Sequence, residues 1–497
     1  MKNSSQNAAS EITQNRNLVT LVAILILAAI LRVFLIGNHG LWLDELFSLR
    51  FADNTLQILI REVLLHDNHP PTYYVLLHYW VLLFGDSEFS LRMPSAILSV
   101  LSVLFTYKVG AILFDTRVAA IASLLLALSE FSIYYAQEAR MYSLLAFASV
   151  LSVYCLIRFL EKQTPWSLVN YIWSTTLLVY SHLFGLFILL AENLYVLTII
   201  FIYSQQSTAI HLKKWISAQA YLLLLSIPWL VSLINRILIV NKEGFWAETP
   251  TLHSILGTFH TFTGSNRGLI VWVFLLLLSL LFALIIKTAP GRKVLKKPSF
   301  PDYGKSVYLL SLILFIPILI PYLVSQFVTP IYIVRCTIAG HFAFYLLVAF
   351  GITSIRWKSA RYISLVIILA LSIKTLVRED YVHHGAVQVR QAVEYIGMNT
   401  GENDVVAICD DSHLRWPFKY YAEKQKNLPS VINIPDSGKD IAIPDHPKAD
   451  RIWFVRRTDR TESCEQFPQI ISHEYSQSNI SNPTFRRLEL VTLVRNE

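Results

Sequence analysis

Runs of apolar residues about as long as a lipid bilayer is thick recur along this chain and constrain its fold more than any other feature. A helix needs about 20 apolar residues to cross the hydrocarbon core. With 54% hydrophobic and 15% charged residues, the 497-residue chain does not have the composition of an ordinary soluble domain. We predict a mainly α-helical, polytopic membrane bundle with about eleven spans. The runs begin near Leu18, Phe89, Val118, Met141, Trp166, Leu183, Leu212, Gly268, Ser306, Ile331 and Tyr362.

Short basic loops between these runs predict the orientation of the chain. The segment from His69 to Phe84 is short for a span, and His78 interrupts it. If this segment lies along the membrane interface, the basic segments Lys287–Lys305 and Arg356–Arg361 fall inside, as the positive-inside rule prefers. The tail of residues 1–17 is then cytoplasmic, and a first loop of residues 37–88 lies outside. The net charge of +8 therefore reflects membrane topology and not nucleic-acid binding.

The predicted transmembrane domain covers residues 18–377, and the pattern changes after it. Residues 378–497 are predicted to form a small extracytoplasmic α/β domain. The segment has no glycine-rich phosphate loop, which argues against nucleotide binding. Cys409 and Cys464 could form one disulfide there, which the sequence leaves open. Strands are predicted at Asp404–Asp410, Ser430–Pro435, Arg451–Arg457 and Leu488–Val494, with helices at Ala386–Met398 and Arg415–Gln425.

An acidic pair, Asp44 and Glu45, stands in the apolar stretch LWLDELFSLR directly after the first long run. Carboxylates at a membrane boundary are costly to leave unsolvated, so their presence suggests a role. The alternative is an interfacial helix whose carboxylates point into water.

The predicted outer loops gather further polar and aromatic side chains. A positioned carboxylate can take a proton from a hydroxyl, and a guanidinium fork can bind a phosphate. Each residue also has a plainer interpretation: Arg92 could reach towards lipid headgroups, and Glu138 could pair locally with Arg140. His66, Asp67 and His69 could hold a divalent metal, although a structural role is favoured. The candidates are Glu138, Arg92, Arg140, Arg335, His69, Tyr73, Tyr142 and His182.

Four segments together carry a family resemblance. LWLDE, HPPTYY followed by LFGDSEFSLRMPSA, SIYYAQEARMYSLLAF and LVYSHLFGLF resemble the bacterial branch of glycosyltransferase family 39. This branch is related to protein O-mannosyltransferases and to the aminoarabinose transferase that acts on lipid A. The resemblance covers about the first 200 residues in the family's order and spacing. HPP stands where the aminoarabinose transferases carry a Lys-Pro pair, so their lipid-A specificity does not transfer.

The resemblance implies a GT-C membrane fold and a polyprenyl-phosphate sugar donor. The family's catalytic aspartate falls on Asp44, its arginine after the first loop on Arg92, and a second carboxylate near Glu138. Arg335 matches the arginine of a later Arg-Tyr element, in which Cys336 replaces the tyrosine here. The implied activity is inverting sugar transfer to a glycan, lipid or protein acceptor on the outer face of the plasma membrane.

Two other functions compete with this hypothesis. A flippase or transporter for lipid-linked sugars would also present arginines and aromatic rings to a lipid phosphate. Such proteins usually place polar groups near the midplane and show repeated halves, and no repeat is visible here. A non-catalytic binding subunit is the other alternative. Intact Asp44, Glu45 and Arg92 argue against loss of catalysis.

Overall fold

The chain divides into two compact units, which we call the helical unit and the C-terminal unit. The helical unit comprises Met1–Phe34, Phe51–Leu83 and Arg92–Tyr381, and the C-terminal unit comprises Leu35–Arg50, Phe84–Leu91 and Val382–Glu497. The computed structural model describes residues 2–202, 212–243, 247–264, 269–288, 303–377, 387–409, 412–425, 427–434, 449–458, 464, 467–477 and 483–496. Most of the predicted basic loop at 287–305 lies outside the described residues.

Helices account for nearly all of the helical unit. Their bounds are α1 Lys2–Val33, α2 Leu43–Ala52 (which crosses the division between the units), α3 Leu56–His66, α4 Thr72–Phe84, α5 Glu88–Leu113, α6 Thr116–Ala127, α7 Glu130–Ala136, α8 Tyr142–Lys162, α9 Pro165–Val179 and α10 Gly185–Ile202. The later ones are α11 Leu212–Glu243, α12 Leu252–Thr263, α13 Leu269–Thr288, α14 Tyr303–Phe327, a 3₁₀ helix at Val334–Ala339, α15 His341–Ser354 and α16 Lys358–Val377.

Six of the described helices are long and apolar enough to cross a membrane, or seven if α6 and α7, bent by 59° at their junction, form one span. Four shorter apolar helices accompany them. The predicted polytopic helical membrane protein is confirmed, while the number of eleven spans stays a prediction. Helix α4, at 13 residues, is about 20 Å long and shorter than the roughly 30 Å hydrocarbon core. Its placement along the interface also stays a prediction.

Helix α15 forms the centre of the helical unit. Every residue from His341 to Ile352 is buried. The helix packs closely on α13 because Gly351 has no side chain: a Cβ there would overlap the carbonyl oxygen of Leu275. Close packing without voids stabilises such a core through many small dispersion contacts.

Two polar side chains tie helices together inside this apolar unit. Arg32 of α1 is fully buried, and its guanidinium donates to the carbonyls of Leu126 and Ala127 at 3.2 and 3.1 Å, where α6 ends. Glu192 of α10 is also fully buried and accepts hydrogen bonds from Ser152 of α8 at 2.8 Å and Tyr171 of α9 at 3.1 Å. We call these last three residues the Glu192 cluster.

The C-terminal unit contains a five-stranded sheet in the order β2-β1-β3-β5-β4. β1 runs parallel to β2 and β3, whereas β5 runs antiparallel to β3 and β4. The predicted small α/β domain is confirmed; the short β4 and α19 were not predicted. The bounds are α17 Val389–Asn399, β1 Asp404–Cys409, α18 Ser412–Lys424, β2 Ser430–Ile434, β3 Arg451–Arg457, α19 Phe467–Ile470, β4 Tyr475–Gln477 and β5 Leu488–Arg495.

Each face of the sheet has its own apolar layer. Helices α17 and α18 cover one face, where Val393 and Phe418 pack with Trp453. On the opposite face, Phe454 packs with Phe467 of α19, and a disulfide joins Cys409 to Cys464. The cysteine pairing that the sequence left open is therefore formed.

Segments of the predicted first loop belong to the C-terminal unit and are held there by hydrogen bonds. The N–H of Leu41 donates to the Tyr421 hydroxyl at 2.6 Å. Arg390 donates to the Asn38 carbonyl at 2.7 Å and to the Glu88 carboxylate at 3.1 Å. These contacts explain why residues 35–50 and 84–91 cluster with residues far along the chain.

Candidate functional site

A group of polar and aromatic side chains collects where several helices of the helical unit begin or end. Its members come from the loop after α3, the start of α4, the turn between α7 and α8, the turn between α9 and α10, and the 3₁₀ helix. We call it the Asp67 cluster; it consists of Asp67, His69, Tyr74, Arg140, Tyr142, His182, Arg335 and Cys336.

Asp67 holds one side of this cluster together. One carboxylate oxygen accepts from the His69 main-chain N–H at 3.0 Å and from His69 Nδ1 at 2.7 Å. The other oxygen accepts from the Tyr74 hydroxyl at 2.7 Å, and Arg140 in turn donates to that hydroxyl at 3.4 Å. The carboxylate therefore fixes the ring of His69 and links it to Arg140 through one phenol.

The electrostatics of Asp67 follow from these contacts. Burial raises the pKa of its carboxyl, but the charges of His69 and Arg140 and the hydrogen bonds from His69 and Tyr74 lower the pKa by more. The pKa of Asp67 consequently lies well below its usual range, so the side chain is an anion at physiological pH.

His182 lies among the cationic members of the cluster. Its ring centre is 5.0 Å from that of His69 and 6.1 Å from that of Tyr142. Burial lowers the pKa of His182, and the nearby His69, Arg140 and Arg335 lower it further, so the ring is neutral at physiological pH. Because Nδ1 accepts the Phe184 main-chain N–H at 3.1 Å, the hydrogen of the neutral ring is on Nε2.

Arg335 and Cys336 complete the cluster from the 3₁₀ helix. The Arg335 guanidinium lies 5.5 Å from the centre of the Tyr142 ring, within the range of a cation–π contact. Cys336 Sγ is 3.7 Å from His182 Nε2, so the thiol packs against the histidine ring.

Three further candidates lie in the helical unit: Tyr73, Glu138 and Arg92. The Tyr73 hydroxyl is 2.9 Å from Ser95 Oγ, which donates to the Arg140 carbonyl at 3.2 Å. Tyr73 thus supports the turn that carries Arg140. Glu138 is buried in that same turn, where its carbonyl accepts the Arg140 N–H at 2.8 Å. Arg92, on the second turn of α5, is 4% exposed.

Asp44 and Glu45 lie in the C-terminal unit and differ sharply from each other. Glu45 is fully buried, and its carboxylate accepts the N–H of Trp42 at 3.3 Å across the start of α2. A carboxylate three residues into a helix that accepts this N–H is one half of a capping box. Asp44 is partly exposed. The structure therefore gives Glu45 a local role at the helix start.

The sequence named Asp67 only as a possible metal ligand and did not select Tyr74 as a site residue, yet both are central to the cluster. A signal was present, because Asp67 is two residues before His69 and Tyr74 follows in the same HDNHPPTYY segment. The candidate metal site did not form in the described part of the chain: the His66 ring is exposed and pairs with Glu62 at 3.7 Å. No group of three or more His, Cys, Asp or Glu side chains among the described residues has a metal-binding arrangement.

The positive charges of the cluster suit it to bind an anion, and its tyrosine rings provide a small apolar surface. Two arginines and two histidines are gathered with tyrosine rings, and the ionised Asp67 carboxylate orients His69 and Tyr74. Guanidinium groups in partly buried surroundings bind phosphate oxygens strongly, since little water competes for them. Tyrosine faces suit the apolar side of a sugar ring or a lipid chain.

Several solved structures are similar to this chain in fold. The chain is similar to ArnT from Cupriavidus metallidurans in the apo state, with a TM-score of 0.58, 11% identity, and coverage of 97% of this chain and 98% of that one. The same ArnT bound to undecaprenyl phosphate gives a TM-score of 0.57, at 11% identity, with coverage of 96% and 97%.

A third similar structure is the archaeal oligosaccharyltransferase AglB from Archaeoglobus fulgidus, in complex with an inhibitory peptide and a dolichol-phosphate. It gives a TM-score of 0.52 at 12% identity, over 84% of this chain and 65% of that chain. At such identities the likeness establishes the fold. No curated protein sequence matches the chain.

At the level of sequence families, residues 68–232 match the dolichyl-phosphate-mannose-protein mannosyltransferases. The matched region begins at the His69 loop and includes Arg92, Arg140 and His182. The resemblance predicted from the sequence is thereby confirmed: residues 68–232 are similar to the dolichyl-phosphate-mannose-protein mannosyltransferases, and the chain is similar in fold to ArnT.

Proposed function

We propose that this protein is an inverting glycosyltransferase that moves a sugar from a polyprenyl-phosphate carrier to an acceptor hydroxyl on the outer face of the membrane. The observation that carries the proposal is the Asp67 cluster, which gathers Arg140 and Arg335 with two histidines and tyrosine rings. ArnT and AglB, which have the same fold, bind undecaprenyl phosphate and a dolichol-phosphate. A lipid phosphate is thus the ligand expected for the cations.

In the proposed reaction, Asp44 accepts the proton of the acceptor hydroxyl while the oxygen of that hydroxyl attacks the anomeric carbon of the sugar. The bond between that carbon and the phosphate oxygen breaks, and the polyprenyl phosphate leaves with the bonding electrons. Attack from the face opposite the leaving group inverts the anomeric configuration. Because a phosphate is a good leaving group, the main task of the protein is to stabilise its negative charge.

Arg140, Arg335 and Arg92 are the groups proposed to bind the phosphate. A guanidinium fork can hold two phosphate oxygens at once, which fixes the direction of departure as well as the charge. Asp67 orients His69, whose Nε2 faces away from the carboxylate-bound Nδ1 and can contribute a further hydrogen bond. Tyr142, under the Arg335 guanidinium, limits the positions that this side chain can adopt.

Replacement of the two adjacent carboxylates tests the catalytic proposal. Asp44→Asn keeps the size of the side chain but removes the basic oxygen, so turnover should fall by roughly 10²–10⁴ while the fold survives. Donor binding should persist because the arginines are intact. Glu45→Gln should reduce turnover less, since an amide oxygen can still accept the Trp42 N–H. The measurement is transfer of labelled sugar from polyprenyl-phosphate donors, with donor binding measured alongside, in nanodiscs.

The matched pair makes this test decisive. Near-normal turnover in Asp44→Asn together with collapse in Glu45→Gln would reverse the two roles. Normal turnover in both variants would refute the carboxylate mechanism. Loss of transfer with normal movement of the lipid-linked sugar across the membrane would favour a flippase.

Cysteine labelling tests the proposed outer location. A cysteine at Ser412, which is exposed at the start of α18, should react with a membrane-impermeant thiol reagent in intact cells. A cysteine at Ser299, which lies outside the described residues, should be protected, and the parent chain provides the background. The reversed pattern would place the C-terminal unit in the cytoplasm and would contradict the topology, including the interfacial placement of α4.

A further inference from the structure

A cleft in the C-terminal unit has no part in the mechanism above. It has a volume of about 580 Å³, within the range of ligand-binding pockets, roughly 300–1,000 Å³. One side is formed by α18, and the other side includes β2 and the end of β1. The side chains that matter are Arg415, Trp416, Lys419, Gln425 and Asn433. We call it the Trp416 cleft.

Trp416 presents an aromatic face at this cleft. Its neighbours Leu414 and Phe418 are buried against the sheet, whereas Trp416 remains 37% exposed. The Phe47 ring lies 6.4 Å away and the guanidinium of Arg50 lies 5.8 Å from the indole centre, so the ring is held in place. A large, oriented and partly exposed aromatic ring is typical of a binding surface.

Positive charge surrounds the indole. The Arg415 guanidinium is 6.0 Å from the ring centre, and Lys419 lies one helical turn further along α18. Lys419 also pairs with Glu423 at 3.9 Å, but both side chains are more than 60% exposed, so this pair holds the lysine only weakly. Two cations beside one anion leave an excess of positive charge in the cleft.

The polar lining indicates which class of ligand fits. Gln425 and Asn433 each offer an amide, which can donate to and accept from hydroxyl groups. An apolar ring face, amides and cations together match a sugar that carries a negative group. A lipid surface fits less well, because a bilayer would require a convex apolar face and not a cleft with amides.

We propose that the Trp416 cleft binds an anionic glycan, one bearing a phosphate or a carboxylate, and that this glycan is part of the acceptor. The sugar ring stacks on Trp416, and its anionic group pairs with Arg415 and Lys419. The identification of the ligand as the acceptor rests on the proposed function; the binding of an anionic glycan does not.

The test uses the full chain in nanodiscs and three probes: maltose, maltose 1-phosphate and inorganic phosphate. Ligand-observed NMR should show that maltose 1-phosphate binds more tightly than either of the other probes. Trp416→Ala should weaken binding of both sugars by roughly tenfold, with Trp416→Phe between Ala and the parent. Arg415→Ala combined with Lys419→Ala should reduce the affinity for maltose 1-phosphate to that for maltose.

The chain offers a matched control in the consecutive exposed residues Arg356, Trp357 and Lys358 of the helical unit. Trp357→Ala and the pair Arg356→Ala/Lys358→Ala should leave probe binding unchanged. Thermal unfolding of every variant reports whether the chain is folded, and binding of undecaprenyl phosphate tests the proposed function independently.

Several results would overturn the proposal. These are the absence of maltose 1-phosphate binding to the parent chain, binding that survives Trp416→Ala, and binding of inorganic phosphate as tight as that of the sugar phosphate. Quenching of Trp416 fluorescence by brominated lipids without probe binding would identify the cleft as a membrane contact instead. Probe binding in a chain that transfers no sugar would support the cleft as a glycan site and refute the proposed function alone.

Discussion

Asp67 and Glu192 are both carboxylates enclosed in the helical unit, but their surroundings differ. Asp67 lies between helices and contacts the His69 ring, the Tyr74 hydroxyl and a main-chain N–H, and Arg140 donates to that same hydroxyl. Glu192 lies within α10 and accepts from the hydroxyls of Ser152 and Tyr171. A carboxylate whose charged neighbours are opposite to it in sign suits a site that must bind a further charged group. A carboxylate whose neighbours are neutral hydroxyls suits a tie between helices.

The comparison also shows why helix ends carry the candidate chemistry. A side chain in a loop can converge with others from distant parts of the chain, as His69, Arg140 and Arg335 do. Within a packed helix bundle each polar group needs its own partner, and little freedom is left for a ligand. The predictions below test this separation between a binding cluster and a structural tie.

The largest expected effect is on transfer by the Asp67 cluster. Arg140→Ala should reduce turnover by roughly 10²–10³, because it removes a group that stabilises the departing phosphate. Arg140→Lys should retain part of the donor affinity but lose the fork geometry. Arg158→Ala is the matched control, since Arg158 pairs locally with Glu161 at 2.8 Å on α8. Activity within twofold of the parent in Arg140→Ala would remove Arg140 from the site.

The next effect concerns stability and the Glu192 cluster. Glu192→Ala removes the carboxylate that accepts from the Ser152 and Tyr171 hydroxyls and opens a cavity, so the free energy of unfolding should fall by about 2–4 kcal/mol. Glu192→Gln should cost less, because its amide oxygen still accepts one hydrogen bond. The measurements are thermal unfolding in detergent and transfer per folded molecule. Abolished transfer at unchanged stability in Glu192→Gln would show that Glu192 is functional.

The smallest effect is a pH dependence from His182. Its pKa is lowered in the folded chain below the unfolded value, so the unfolded chain binds more protons in weak acid. The stabilising contribution is fully present above about pH 6.5 and falls as the pH decreases towards the folded-state pKa, by at most about 1.4 kcal/mol per pH unit. Thermal unfolding of His182→Gln should show a flatter profile between pH 7 and 5.

His473→Gln is the control for this profile, because His473 is exposed in the C-terminal unit. Its pH dependence should match that of the parent chain. A parent profile that does not change in His182→Gln would show that the His182 ring is not held neutral by the Asp67 cluster.

Much of the architecture could be predicted from the sequence because it depends on local patterns. Apolar runs of bilayer length predict helices, and short β-branched runs between polar segments predict strands; β3 was predicted residue for residue at Arg451–Arg457. The three-residue β4 carries too little pattern to be recognised, and it forms because β5 provides a partner.

The candidate site, like the fold, was predictable from the sequence in part, and the rest was decided only by the tertiary structure. The sequence determined which residue types were available and, through spaced motifs, selected Asp44, Arg92, Arg140, Arg335 and His182 as candidates. Only the tertiary structure decided that Asp67 orients His69 and Tyr74, that Glu45 caps α2, and that residues 35–50 cluster with residues after 382. The Asp67 and Glu45 contacts join residues that are close in sequence, but burial in the folded chain selected them from several possible local partners. The clustering of residues 35–50 with residues after 382 joins distant parts of the chain, which no local pattern could have predicted.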